Sequence, residues 1–476
     1  MKNANRTLHV IAICALAAGI PGTQAQDWPQ WRGPNRDAKA AGFDAPQAWP
    51  EALAQKWKVT VGEGVATPSL AGDKLYVFSR QEGQEILRCL AAASGKELWQ
   101  DKYDALGATG PASNFSGPRC SPTVADGKVV TLGVRGVLSC LDAESGKLLW
   151  RKDDFAGALP KFFTASSPLV TEGLCIAELG GDGSGGIVAC DLATGAEKWR
   201  WTGDAPAYAS PVLMTVDGAR LLVAQTESKM LALSVADGKL QWEAPFVVEG
   251  RGYNAATPIV AGQTIIYTGS NRGVTAVRLE KEGDAIVAKP LWKNADIFTQ
   301  FNSPVLKDKF IYGISGRNEL FCLNAADGQT VWTAPVTPGA PAAPVPGGAP
   351  GSGTPPPNAP PTNEPPPGAV AQNPDTGPGP GPGGPGRGFG GPGGGGGMRG
   401  RGMRGGGGYG TLVDAGSVIL ALTPASQLIA FTPGSTAYTE LARIKVADSP
   451  THAYPVLSGH RIFTKDQDSV TLWTVE

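Results

Sequence analysis

Five segments of this chain repeat one pattern: LAAASGKELW at Leu90–Trp99, LDAESGKLLW at Leu141–Trp150, CDLATGAEKW at Cys190–Trp199, LSVADGKLQW at Leu233–Trp242 and LNAADGQTVW at Leu323–Trp332. In each, a Ser, Thr or Asp precedes a Gly, and a Trp follows four residues after that Gly. Trp292 fits the series behind a longer turn, so successive Trp lie 40 to 51 residues apart. A repeat of this length built from short strands and turns predicts a propeller or a related array.

One copy can be followed strand by strand. Thr67-Pro68-Ser69-Leu70 opens a strand, with Pro near its start where a missing N–H is tolerated. Turns then separate Lys74–Ser79, Glu85–Leu90 and Glu97–Gln100. Four short strands joined by turns make one antiparallel blade. The start recurs at Ser121-Pro122, Ser167-Pro168, Ser210-Pro211, Thr257-Pro258 and Ser303-Pro304, in a degraded form near Gly410-Thr411, and at Tyr454-Pro455. The eighth copy ends one strand short. The orphan strand Gln55–Val61, QKWKVTV, supplies it, with Trp57 where the repeat wants its Trp. The expectation is an all-β, eight-bladed β-propeller of four-stranded antiparallel blades, its last blade closed by an N-terminal strand. Seven blades, with one start miscounted, is the alternative. In the repeat, Gly supplies positive φ for the turn, Asp142, Asp191 and Asn324 bond turn N–H groups, and the Trp buries its ring between blades.

The rest of the chain divides around these blades. Residues 1–25 read as a signal peptide: Lys2 and Arg6, the apolar run Leu8–Ala18, and a Thr23-Gln24-Ala25 cleavage site. A lipoprotein reading of Cys14 is disfavoured by the large Ile13 before it. No other apolar run approaches the ~20 residues that span a bilayer, so an exported, periplasmic or secreted, monomeric protein is expected. Removing Lys2 and Arg6 takes the formal charge from −1 to −3, which gives no reason to expect nucleic acid as a partner. Residues 26–53 form a Trp- and Pro-rich arm. Its Trp28, Trp31 and Trp49 either pack onto the domain or present a carbohydrate-binding platform. Blades one to six with the closing strand occupy 54–333, and blades seven and eight 409–476. Between them, 334–408 is Pro-rich and then Gly-rich, with too few apolar groups to offset ordering entropy, and reads as a disordered insertion. Its Arg-Gly pieces around Arg387, Arg399, Arg401 and Arg404 resemble RNA-binding segments, but in an exported chain a solvated tether is the plainer reading.

Six Cys remain after the signal. Cys89, Cys140 and Cys322 share one repeat position and read as small buried strand residues. Cys120 and Cys175 stay open as disulfide candidates.

The [STD]-G-[KAQ]-x-x-W repeat behind a strand and an [ST]-P start resembles the PQQ-like (quinoprotein-type) eight-bladed propeller superfamily. The opening DWPQWRGPNRD, Gly117–Pro122 and Arg251-Gly252-Tyr253-Asn254 are similar to exported bacterial members. The resemblance covers nearly all of the mature chain except 334–408, and it implies two kinds of activity. One is dehydrogenation by pyrroloquinoline quinone with Ca²⁺, held by a Glu and an Asn or Asp with an Asp as base. The other is cofactor-free protein binding in envelope assembly. The adjacent-Cys disulfide of many such dehydrogenases has no counterpart here.

The loops from each fourth strand to the next first strand converge on one mouth of a propeller channel. They carry Asn114, Arg119, Lys161, Phe163, Tyr208, Arg251, Tyr253, Asn254, Gln300, Asn302 and His452. Of these, Arg119, Lys161, Tyr208, Arg251, Tyr253, Asn254 and Asn302 are the candidates for holding an anionic quinone, since Arg forks suit carboxylates. The alternative is that Arg and Asn here tie loop backbones together. Acids are scarce: Glu249 and Asp296 lie near, with Glu178 and Asp182 in blade three. Ca²⁺ wants several oxygen ligands, usually including carboxylates. The Gly180–Gly186 run leads into a strand, not a helix, and is weak evidence for phosphate binding. The leading expectation is a protein-binding or envelope-assembly module without a cofactor. A quinone- and Ca²⁺-dependent alcohol or sugar dehydrogenase and a carbohydrate-binding module are the alternatives.

Overall fold

The computed structural model describes residues 27–337 and 409–475, apart from 156, 182, 249–251 and 435. The signal peptide and nearly all of the insertion lie outside the described residues. Eight four-stranded antiparallel sheets follow one another along the chain. In blade one the strands are Ser69–Ala71, Lys74–Gln81, Gln84–Ala91 and Glu97–Asp104, paired in that order. Eight sheets dispose of the seven-blade alternative. In the eighth, Ala54–Thr60 pairs antiparallel with Ser469–Thr474, outside Val456–Ser458 and Arg461–Lys465. The fourth strand of blade six runs to Pro335, and Ala334 and Val336 are buried, so the blade continues past residue 333. One short 3₁₀ helix, Gly110–Phe115, is the only helix among the described residues.

The repeat fastens neighbouring blades, although Trp99 Nε1 finds no partner among the described residues. Trp Nε1 donates to a carbonyl of the following blade from Trp57 to Ala92 (3.1 Å), Trp150 to Leu192 (3.0 Å), Trp199 to Val235 (2.9 Å) and Trp292 to Ala325 (3.0 Å). The same ring lies flat against the turn Gly of that next blade. A Cβ on Gly95, Gly146, Gly195 or Gly238 would come within 2.5 to 2.9 Å of the preceding blade's Trp. The motif's Gly and its Trp are therefore partners, but across a blade boundary. The Cys position explains itself in the same way. Cys89, Cys140 and Cys322 lie directly across the hairpin from Trp99, Trp150 and Trp332, where Ala189, Ala232 and Ala276 face the other Trp. A small side chain there leaves room for the indole. All six Cys from Cys89 to Cys322 are buried and free, Cys120 and Cys175 included.

A second fastening runs around the channel. The backbone N–H of Ser121 donates to Ser167 Oγ (2.9 Å), that of Ser167 to Ser210 Oγ (2.9 Å), that of Ser210 to Thr257 Oγ1 (3.2 Å) and that of Thr257 to Ser303 Oγ (2.8 Å). Tyr454 N–H to Thr67 Oγ1 (2.9 Å) carries it across the ring closure. The hydroxyls of Ser167, Ser210, Thr257, Ser303 and Thr67 thus each satisfy a buried donor of a neighbouring blade, which would otherwise be costly.

The N-terminal arm stops one mouth of the channel. Trp28 bridges Leu70, Pro29 O accepts from Val124 N (2.8 Å), Lys39 pairs with Asp414 and Phe43 with Gly459. These partners sit at the far ends of innermost strands, opposite the loops that pass between blades. Trp28 is 1% exposed, and Trp31 and Trp49 pack half-buried on the core. Trp31 Nε1 reaches Thr257 Oγ1 (3.1 Å) in the hydroxyl ring. The rings face the protein, which removes the aromatic platform that a sugar-binding arm requires.

Candidate functional site

The other mouth is formed by the connections between consecutive blades. Each of the seven connections places one aromatic ring there: Phe115, Phe162, Tyr208, Tyr253, Phe301, Tyr409 and His452. Their contacts run almost continuously. Tyr208 and Phe162 meet Tyr253 at centroid distances of 5.9 and 4.6 Å, and Tyr253 meets Phe301 at 6.5 Å. Phe301 stacks on Tyr409 at 4.1 Å, Tyr409 meets His452 at 5.6 Å, and His452 meets Phe115 edge-on at 4.8 Å. All seven rings are half-buried. Burial lowers His452 to about 4, so its ring is neutral at neutral pH.

Arg119 spans the one gap, between Phe115 and Phe162. Its Nη1 donates to Phe162 O, and its Nη2 to Phe115 O (2.9 Å) and Ala112 O (3.3 Å). It acts as a clasp on the two loops. Asn254 has the same kind of role. Its Nδ2 donates to Thr226 O (2.7 Å), Glu227 O (3.1 Å) and Phe246 O (3.2 Å), while its Oδ1 accepts from Arg272. Asn302 exchanges both amide groups with the backbone of Ile314. Tyr208 OH accepts the N–H of Phe162 (3.0 Å), and burial raises its phenol to about 12. Lys161 is exposed, with Nζ 5.8 Å from the Phe162 centroid. Arg251 lies outside the described residues. The mouth thus brings together Arg119, Lys161, Tyr208 and Tyr253. Phe163, expected on the wall, is instead 9% exposed at φ +65° under Arg135, and its neighbour Phe162 holds the wall. Phe115, Phe301 and Tyr409 were not singled out from the sequence; the available signal was at least one aromatic in every inter-blade loop.

Beside the collar, a cavity of about 400 Å³ opens between blades eight and one, lined by Glu63, Asn114, Phe115, Ser116, His452 and Gln467 among others. Carboxylates near the mouth are scattered and engaged. Glu178 Oε2 accepts from Ala207 N (3.3 Å), Glu85 Oε1 from Val134 N (2.8 Å), and Asp204 from Ser228 N (2.8 Å) and two hydroxyls. Asp296 is exposed, and Glu249 and Asp182 lie outside the described residues. Among the described residues no three His, Cys, Asp or Glu side chains converge as metal ligands. Among the described residues this donor set does not fit the several oxygen ligands that Ca²⁺ takes, and Arg119, Asn254 and Asn302, suited to a quinone, already bind backbone.

No helix among the described residues is long and apolar enough to cross a membrane. Comparison with known proteins finds the family model described as outer membrane protein assembly factor BamB over residues 82–334, more than half of the chain. The assembly factor BamB of Xanthomonas campestris pv. campestris is 27% identical over 278 residues, covering 55% of this chain and 64% of that protein. The chain therefore spans less than two thirds of that relative's length. The crystal structure of BamB from Moraxella catarrhalis superposes with a TM-score of 0.54 at 13% identity, covering 89% of this chain and all of that one. Quinohemoprotein alcohol dehydrogenase from Comamonas testosteroni gives 0.60 at 13% identity, covering 94% and 80%. At these identities the superpositions show a shared fold and nothing finer. With the family's model matched over most of blades one to six and the eight blades in place, the chain belongs to the PQQ-like β-propeller family described as outer membrane protein assembly factor BamB.

Proposed function

We propose that this chain is an exported propeller that binds a protein partner at the cell envelope, without a cofactor, and that the aromatic collar is the docking surface. The observation that carries the reading is the collar itself. Seven half-buried rings, one per inter-blade connection, form a rim of apolar and amphipathic surface of the kind enriched at protein interfaces. Side chains on several loops of a rigid ring are also pre-organised, which lowers the entropy lost on binding. The name carried by the related proteins, an outer membrane assembly factor, supports the same class of role.

The test is recovery of partners from envelope extracts by the mature wild-type protein and by Tyr253→Ala/Phe301→Ala, with folding checked by circular dichroism. Loss of a specific partner in the variant is expected, on the order of 2 kcal/mol or more for a hot-spot ring. Stoichiometric uptake of pyrroloquinoline quinone with Ca²⁺, together with dye-linked alcohol oxidation, would overturn the reading in favour of a dehydrogenase.

A further inference from the structure

The arm that stops the second mouth carries two arginines into the channel. Arg36 is 4% exposed and nearly satisfied. Its Nη1 donates to Pro168 O (2.9 Å) and Gln30 Oε1 (3.1 Å), and its Nη2 to Ser167 O (2.9 Å). Arg32 differs. It is 1% exposed, its Nη2 donates to Pro304 O (2.6 Å), and its Nε and Nη1 have no hydrogen-bond partner among the described residues. Its guanidinium carbon stands 5.8 Å from the Tyr454 ring centroid. A guanidinium has five N–H donors and cannot shed its charge in a protein, so most of Arg32's donors are buried and unspent.

Among the described residues, no carboxylate contacts this charge directly. Neither arginine has a carboxylate within 4.0 Å among the described residues. Glu178, the acid that acts on Arg36, is pushed up to about 8 by burial and is largely protonated at neutral pH. Asp37, the acid that acts on Arg32, is shifted up by burial against the pull of Lys39 and Arg32, and makes no ion pair with Arg32. Backbone carbonyls accept hydrogen bonds but carry only partial charge. A buried cation without a counter-charge costs several kcal/mol. Water can satisfy N–H donors, but it leaves that charge in place. The wall has hydroxyls to spare as well: Ser121 Oγ and Thr411 Oγ1 are buried without a partner.

We propose that the propeller channel binds a small inorganic anion of halide size on the open Nε and Nη1 donors of Arg32, beneath the N-terminal arm. Size is limited because arm and wall bury the site on all sides: Trp28, Arg32 and Tyr454 are each no more than 2% exposed. The anion supplies the missing negative charge and so holds the arm in the channel. The inference does not depend on the collar or its partner.

The experiment uses the intact mature protein with bromide in place of chloride. An anomalous scattering peak within hydrogen-bond reach of Arg32 Nε and Nη1 is expected. In parallel, chloride replaces gluconate at fixed ionic strength in thermal unfolding. Chloride at a hundred times its dissociation constant shifts the unfolding equilibrium about 100-fold toward the folded state, and Arg32→Gln abolishes that dependence. Density for water alone at Arg32, or bromide confined to the protein surface, overturns the proposal. So does an undiminished chloride dependence in Arg32→Gln. If that variant does not fold, the anomalous map of the wild type decides.

Discussion

Gly173 and Gly195 sit in the same blade, in two turns, with the same φ of +73°. An alanine at either position meets the same backbone strain, about 1–2 kcal/mol for an L-residue in the left-handed region. Their surroundings differ. A Cβ on Gly173 has nothing within 4 Å, whereas one on Gly195 falls 2.7 Å from Trp150 Cδ2 and 2.9 Å from Cγ. The indole cannot slide away cheaply, because Trp150 Nε1 is bonded to Leu192 O at 3.0 Å and the ring is 9% exposed. Overpacking of that kind adds about 1–3 kcal/mol. We therefore expect Gly173→Ala to lose about 1–2 kcal/mol and Gly195→Ala about 2–5 kcal/mol, read from urea unfolding followed by circular dichroism. Trp150→Ala alone should cost about 3–5 kcal/mol. In its background Gly195→Ala should cost only the backbone strain, a coupling of about 1–3 kcal/mol. Equal losses at the two glycines, or additive losses in the double variant, would refute the claim that Gly and Trp act as a pair across the blade boundary.

Two other outcomes follow from buried groups. Glu178 has its folded value, about 8, above the ordinary 4.5, so its contribution to stability is full below pH 4.5 and is lost as pH rises through 8. Glu178→Gln cannot ionise, and the variant should gain on the wild type by up to about 1.4 kcal/mol per pH unit across that window; parallel stability profiles would sink this. Cys89, Cys120, Cys140, Cys175, Cys190 and Cys322 are buried and free, with thiols raised by burial (Cys89 and Cys322 to about 12), so an aromatic disulfide reagent should find none of these six in the folded protein and all six after denaturation. Fewer than six would reveal a disulfide.

What the sequence disclosed followed the reach of local patterns. Turn chemistry, strand alternation and the Trp spacing count blades, and Trp57 announces the closing strand because it stands in an orphan strand where the eighth copy lacks its Trp. The second use of each turn Gly stays hidden, since its Trp partner belongs to the preceding blade, 36 to 47 residues earlier in the chain. The hydroxyl ring is hidden in the same way: Ser167 Oγ serves Ser121 N–H, a bond over 46 residues. At the mouth, loop residues carry no period, so Phe162 and Phe163 could not be told apart. Positive φ at Phe163 turns it inward. The arm was read by its Trp rings as packing, whereas its arginines are what enter the channel.

The closing pair Ala54–Thr60 and Ser469–Thr474 joins residues from opposite ends of the chain. Every other blade is built from neighbouring sequence and can form as it emerges. The eighth cannot form until the last strand exists, and the entropy of closing so long a loop falls on that one step. Until then Ala54–Thr60 is an unpaired strand and Trp57 has no blade of its own to staple to blade one, a state that exposes edges to other chains. The final hairpin therefore closes the ring: a chain interrupted between Val456 and Ser469 keeps seven whole blades with Ala54–Thr60 unpaired, and one interrupted earlier loses whole blades as well.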